Sequence, residues 1–469
     1  MSRQLLRNSL TGFGGMALHK LIHLVTMIAL ARMLGTEQFG VYAFVGSVVF
    51  FLGFLTDLGM ERVLTRELSA RPQKASVLLG TALWLRFGLG LVAALTGLVV
   101  GWGLQLDRTT FACLLLAAGG LPFGFDLLAR SYFQSTLRVQ HYYRVSLGGS
   151  SSFLVLVLAC WWWGASVVSV FAAGLANGLV VSFVFLAAVH WQARIHPRFD
   201  VKEVRTLLGE GIQVGLLALL FMAALRVDQI LLFELRGPEE VGQYAAAVRL
   251  TEALGMFSEA LMLSLFPLLA ASHRSNPQLF RRRYQLGIRY LAAVGVPLAL
   301  ACSYFAPTLL TLVFGGKYRD AWPAVVLLSW NMLLAYLGAV YVNVFLIERR
   351  YRHLLLVSSL SVLVNVLCNL LWIPRYGGPG AAAATLLSSV VALVLWFAFT
   401  ATRTVMTDCM RASAPAVFAG MGAVIPALVL GWRSGPLWAI VTMGLYVVLL
   451  LAFGGLGRAD WKRVSRGGA

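Results

Sequence analysis

The sequence predicts an all-α polytopic membrane protein with fourteen transmembrane helices, arranged as two pseudo-symmetric six-helix lobes and two C-terminal helices. Three observations carry that prediction. The 469-residue chain is 59% hydrophobic and only 12% charged, with a mean hydropathy of +0.80, where soluble domains run near 25% charged. Apolar runs of about 20 residues, the length that crosses a bilayer as a helix, recur almost from end to end. A signature after the first run, at 34–43, returns after the seventh, at 236–245.

The first run, 10–31, carries His19, Lys20 and His23. Ala29-Leu30-Ala31 looks like a signal-cleavage site, but a signal's apolar core would not hold those three residues, so the segment is read as an uncleaved helix. The second run, 40–60, has Asp57 near its end, and the third, 77–101, holds Arg86. Between the fourth, 109–129, and the fifth, 145–164, lies an aromatic and basic stretch. It runs from Tyr132-Phe133-Gln134 to His141-Tyr142-Tyr143-Arg144 and is read as an interfacial belt, with contact to a cargo head group as the alternative. Trp161-Trp162-Trp163 closes the fifth as a second anchor.

The sixth run, 166–190, leads into a basic linker, 191–206. The seventh, 209–233, carries Arg226 and Asp228; the eighth, 241–270, carries Arg249, Glu252 and Glu259. Runs nine to twelve are 286–314, 322–346, 354–373 and 380–402. Asn365 and Asn369 stand one turn apart on the eleventh, where they either glue helices together or bind sugar. The last two runs, 413–431 and 436–455, contain no charged residue.

Basic residues set topology by staying on the cytoplasmic side in short loops. With the N-terminus inside, 27 of the 38 Lys and Arg fall on that side, 7 on the other and 4 within the membrane. One missed helix would scramble that alternation, so both termini are expected to be cytoplasmic in a bacterial inner membrane. The net charge of +19 then reflects topology and anionic headgroups and calls for no nucleic-acid partner. The five cysteines lie far apart with no CxxC pair, so neither a metal site nor a disulfide framework is indicated.

Gly35-Thr36-Glu37-Gln38-Phe39-Gly40-Val41-Tyr42-Ala43 aligns with Gly237-Pro238-Glu239-Glu240-Val241-Gly242-Gln243-Tyr244-Ala245, and the same offset carries Asp57 onto Glu259. The repeat implies duplication: an N-lobe at 1–190, the linker, a C-lobe at 207–404, and helices thirteen and fourteen with a basic tail at 405–469. Parallel repeats with a substrate site at their interface are a transporter architecture.

Ionisable residues inside a membrane cost about 2.5–3.5 kcal/mol each and tend to carry function. The candidate pyrophosphate-binding cations are Lys20, Arg86, Arg226 and Arg249; arginine suits phosphate because its fork presents paired donors. Each has a structural alternative. Arg249 and Glu252, one turn apart, could neutralise each other, and Arg86 could serve as a buried counter-ion. Candidates for ion coupling or gating are Asp57, Asp228, Glu252, Glu259, His19 and His23. This set suits proton or sodium coupling without choosing between them. There is no nucleotide-binding GxxxxGK[ST], no HExxH and no outer loop long enough for catalysis.

The first-half motifs Ala31-Arg32-Met33-Leu34-Gly35, Gly40-Val41-Tyr42-Ala43 and Thr56-Asp57-Leu58-Gly59 resemble a known family. So do Arg226-Val227-Asp228-Gln229, Phe266-Pro267, Phe314-Gly315-Gly316-Lys317-Tyr318 and Ile373-Pro374-Arg375-Tyr376-Gly377-Gly378-Pro379-Gly380 in the second half. Over about residues 5–405 the chain is similar to polysaccharide-type flippases, the Wzx or O-antigen group of the multidrug/oligosaccharidyl-lipid/polysaccharide exporter superfamily. The resemblance implies movement of a polyprenyl-pyrophosphate-linked sugar to the outer leaflet by alternating access, without ATP or another cofactor. Its partners would be bilayer lipids and a glycan polymerase. Two other readings stand beside it: a multidrug antiporter of the same superfamily, and a membrane enzyme that polymerises or ligates glycans.

Overall fold

The computed structural model describes residues 3–196, 198–429 and 436–455. Within them the chain is helical, with no strand. The helices are α1 (Arg3–Asp57), α2 (Met60–Ala70), α3 (Ala75–Gly103), α4 (Arg108–Gly119), α5 (Asp126–Ser135), α6 (Val139–Trp162), α7 (Val167–Ala193), α8 (Val201–Arg236), α9 (Pro238–Leu254), α10 (Met256–Ser275), α11 (Pro277–Val313), α12 (Trp322–Ile347), α13 (Tyr351–Ala398), α14 (Thr400–Val429) and α15 (Pro436–Ala452). Residues 430 and 431 at the end of the thirteenth predicted span, Arg433, and the basic tail from 456 lie outside the described residues.

Fourteen runs emerge once the breaks are placed. Gly35 (φ 70°) splits α1 and Gly377 (φ 57°) splits α13, so each is two spans. A 3₁₀ turn at Leu121–Phe123 sits between α4 and α5, and Gly255 stands between α9 and α10; each pair makes one crossing. The eighth predicted span, continuous in the sequence, is thus interrupted beside Glu252.

Large apolar side chains face outward. Val99 is 68% exposed, Leu312 69%, Leu371 68% and Ile440 70%. In water such a surface would aggregate; in hydrocarbon it is the solvated face, and the chain is a multi-pass membrane protein. Trp162 and Trp163, 88% and 79% exposed at the end of α6, occupy the position of an interfacial anchor. Tyr132 and Phe133 of the supposed belt are instead buried, packing with Phe125, Leu128 and Phe185.

The chain divides into two compact units, Met1–Ala245 and Ala246–Ala469. The border is one of contact, whereas the lobes 1–190 and 207–404 are defined by repeat; α8 follows the linker yet packs in the first unit. That unit holds two cores, one around Met60, Leu79, Phe133 and Phe185, the other around Phe44, Val45, Leu52 and Leu114 with Ile230 and Phe233 of α8. The linker is pinned to α3: Ser76 Oγ donates to Arg194 O at 2.7 Å and Thr81 Oγ1 to Arg198 O at 3.2 Å. The second unit's core runs from Tyr284 and Ile288 through Tyr336 and Phe345 to Met406 and Tyr446.

The repeat is visible in the backbone of the first unit. Gly35 (φ 70°, ψ −177°) and Gly237 (φ 85°, ψ 178°) are aligned residues and make the same turn, in a region glycine enters without a Cβ clash. Beyond them the two helix starts cross. A methyl on Gly40 would stand 1.7 Å from the carbonyl oxygen of Pro238, and one on Gly242 1.8 Å from that of Thr36. Thr36 aligns with Pro238 and Gly40 with Gly242, so the contact is a local two-fold. Thr36 Oγ1 also donates to Glu239 Oε1 at 3.4 Å.

Candidate functional site

The intramembrane charges of the first unit are built from α1, α3 and α8. Arg86 is buried in α3. Its Nε donates to the Gly124 carbonyl, Nη2 lies 3.5 Å from Thr56 Oγ1, and Nη1 stands 3.6 Å from Asp57 Oδ1. Two sequence candidates, Arg86 and Asp57, are therefore one ion pair, with side chains 5% and 22% exposed. Arg130 meets Glu61 at 3.4 Å alongside, a second pair the sequence reading did not include.

Asp228, on α8, is buried. Its Oδ2 accepts from Tyr244 OH and its Oδ1 from the backbone N–H of Gln229 at 2.8 Å. The Gln229 side chain accepts in turn from Ser47 Oγ at 2.9 Å. A carboxylate removed from water costs less when its lone pairs are filled, and α1, α8 and α9 are tied by filling them. Tyr244 and Ser47 stand outside the candidates the sequence offers; Tyr244 enters there only through the repeat. Arg226, two residues before Asp228, lies over the Phe50 ring at 5.7 Å, an arrangement that stabilises a cation through the ring's negative face.

On α1, His19 Nδ1 shares hydrogen bonds with Ser150 Oγ at 2.7 Å and Ser146 Oγ at 3.2 Å on α6. Lys20 is half-buried and His23 exposed on the same helix. His19 thus bonds to a neighbouring helix, one of the two roles open to it from sequence.

In the second unit, Arg249 Nη1 donates to Glu252 Oε2 at 2.7 Å, so this pair neutralises itself one turn apart. Glu259 is exposed in the first turn of α10. On α13, Asn369 Nδ2 donates to Asn365 Oδ1 at 3.0 Å and Asn365 Nδ2 to Thr385 Oγ1 at 3.3 Å, joining the helix's two halves. Among the described residues no three His, Cys, Asp or Glu gather as a metal-binding set.

A family model described as polysaccharide biosynthesis protein matches residues 5–273, more than half of the chain. The chain belongs to that family. Within the polysaccharide biosynthesis protein family's broader fold, it is similar over its whole length to the lipid II flippase MurJ in an inward closed conformation. That match has a TM-score of 0.71 at 10% identity and covers 98% of this chain and all of the other. An inward-facing multidrug resistance MATE family transporter of the MOP superfamily aligns with a TM-score of 0.64 at 15% identity, over 84% of this chain and 96% of its own. A MOP superfamily transporter from Pyrococcus furiosus, whose description stresses a binding pocket of reversed polarity, aligns at 0.61 and 16% identity, over 87% and 96%. In sequence, an uncharacterized membrane protein of Methanocaldococcus jannaschii is 24% identical over 208 residues, 42% of this chain and 40% of that relative's length. The fold is the one these transporters share.

Proposed function

We propose that this protein is a flippase that moves a polyprenyl-pyrophosphate-linked oligosaccharide from the cytoplasmic to the outer leaflet of a bacterial inner membrane, by alternating access. One observation carries the proposal: a chain of the polysaccharide biosynthesis protein family keeps cations in spans that are otherwise apolar. The carrier's tail can stay in the bilayer while its pyrophosphate and sugar cross, so the protein has to supply charge for the phosphates and little else. Arg226 and Lys20 are our candidates for that contact. Arg226 lies over the Phe50 ring, 5.7 Å from its centroid. Arg86, sealed against Asp57, acts as a fixed counter-ion.

Coupling to a proton or sodium gradient would run through Asp228, Glu252, Glu259 or the His19–His23 pair. A glycan polymerase on the outer face would consume the delivered carrier. No ATP is required.

The test is cargo choice in proteoliposomes. The proposal predicts leaflet exchange of a labelled polyprenyl-pyrophosphate sugar, weaker exchange of the same sugar on an uncharged polyprenol, and no export of a cationic dye. Dye export driven by an ion gradient, with the lipid-linked sugar immobile, would establish the multidrug antiporter instead.

A further inference from the structure

Away from the intramembrane charges, a groove of about 310 Å³ opens where the start of α14 meets α11, within the volume range of ligand sites, roughly 300–1,000 Å³. Its charges do not cancel. Arg281 is neutralised by Asp408: Nε and Nη2 each donate at 2.6 Å to the two carboxylate oxygens, and Tyr284 OH adds a third bond at 2.5 Å. Asp408 is the one acidic residue lining the groove, and it is buried and fully occupied. Arg403 and Arg411 therefore stand uncompensated.

Their donors are poised for an anion. Arg403 spends Nε on the Phe397 carbonyl at 3.1 Å, which orients the guanidinium and leaves its two Nη groups for a ligand. Arg411 is exposed, and among the described residues nothing bonds to it or pairs with it. Thr407 donates to Arg403 O, whereas the Thr400 and Thr404 hydroxyls, both exposed in the groove, carry no such bond. The start of a 30-residue helix adds the positive end of its dipole, although the N–H groups of Thr402 and Arg403 are taken by the Phe399 carbonyl. Scattered interfacial arginines attract headgroups by charge alone. Here two forked cations, two hydroxyls and a helix start line one groove, a donor set suited to tetrahedral oxygen.

We propose that this groove binds a phosphate group at the membrane surface, independently of the transport pathway. The phosphate comes from an anionic phospholipid headgroup or from the pyrophosphate of a polyprenyl carrier; the chemistry is shared, and experiment separates the sources.

The full-length protein in a neutral detergent would be melted with short-chain phosphatidylglycerol, with zwitterionic phosphatidylcholine, and with inorganic pyrophosphate. Phosphatidylglycerol should raise the melting temperature at concentrations where phosphatidylcholine does not. R403Q/R411Q should weaken that apparent affinity at least roughly tenfold, as expected for losing a charge-assisted hydrogen bond. R205Q/R274Q, which removes equal exposed charge elsewhere, should leave it unchanged. Pyrophosphate reproducing the effect assigns the source to a carrier-type phosphate; phosphatidylglycerol acting without it assigns a phospholipid. An undiminished effect in R403Q/R411Q, or an equal loss in R205Q/R274Q, overturns the proposal. Thr404→Val, which leaves every charge in place, gives a second reading should the double variant not purify as a single species: weaker phosphatidylglycerol binding supports the site, and unchanged binding contradicts it.

Discussion

Tyr244 shows at the scale of one residue what a buried carboxylate demands of its surroundings. Its hydroxyl fills one oxygen of Asp228 while Gln229 fills the other. Hydrogen bonds to charged groups contribute about 1.5–3 kcal/mol, so Tyr244→Phe is expected to lower stability by about that much, read as a drop in melting temperature in detergent with the helical spectrum retained. A second residue-scale prediction concerns Asp408, which lies before the predicted span 413–431. Burial pushes its carboxyl up, but hydrogen bonds from Arg281 and Tyr284 outweigh that and hold it below the usual range. A depressed native pKa stabilises fully above the unfolded value of about 3.9 and is lost as pH falls through the native one. Acidification below about pH 4 should therefore cost the parent protein more melting temperature than D408N, and equal losses would remove the assignment. Charges were legible as residue types in apolar runs, and Arg249–Glu252 was legible as a pair because one helical turn joins them. The partner of Asp228 was not, since it reaches back across the break at Gly237.

Helix starts and breaks belong to the next scale. The 34–43 and 236–245 repeat announced duplication, and the structure turns it into a crossing where Gly40 and Gly242 each meet the other segment's backbone. Overpacking typically costs about 1–3 kcal/mol and more where backbone must move. Gly40→Ala should accordingly destabilise the protein and lower transport. Gly46→Ala, one helix face away with nothing within 4 Å of the added methyl, should stabilise by about 0.5–1 kcal/mol through helix propensity. Opposite shifts in melting temperature check both at once. The break between 354–373 and 380–402 was legible from its Pro and Gly cluster. The one at Gly255 was not, because a lone glycine in an apolar run carries no turn signature, and it separates Glu252 from Glu259, which the sequence placed in one continuous run, 241–270.

Across the whole molecule, composition and the spacing of apolar runs made the fourteen-span fold readable before any contact was known, because bilayer thickness dictates run length. The grouping into Met1–Ala245 and Ala246–Ala469 was not readable; it depends on α8 packing with α1, which no periodicity encodes. The bias of 27 basic residues to one side against 7 predicts that cysteines placed in the 191–206 linker and at the α10–α11 junction around Asn276 react only from the cytoplasmic side, as labelling of intact cells with an impermeant thiol reagent would report. The proposed transport rests on an intramembrane cation meeting the cargo's phosphates. Its most direct measurement is the initial rate of lipid-linked sugar translocation in proteoliposomes containing the parent or Arg226→Ala, at matched protein and equal melting temperature. The account predicts a loss of at least about tenfold, partly restored by Arg226→Lys, which returns the charge without the fork. Full-rate translocation by Arg226→Ala would contradict it.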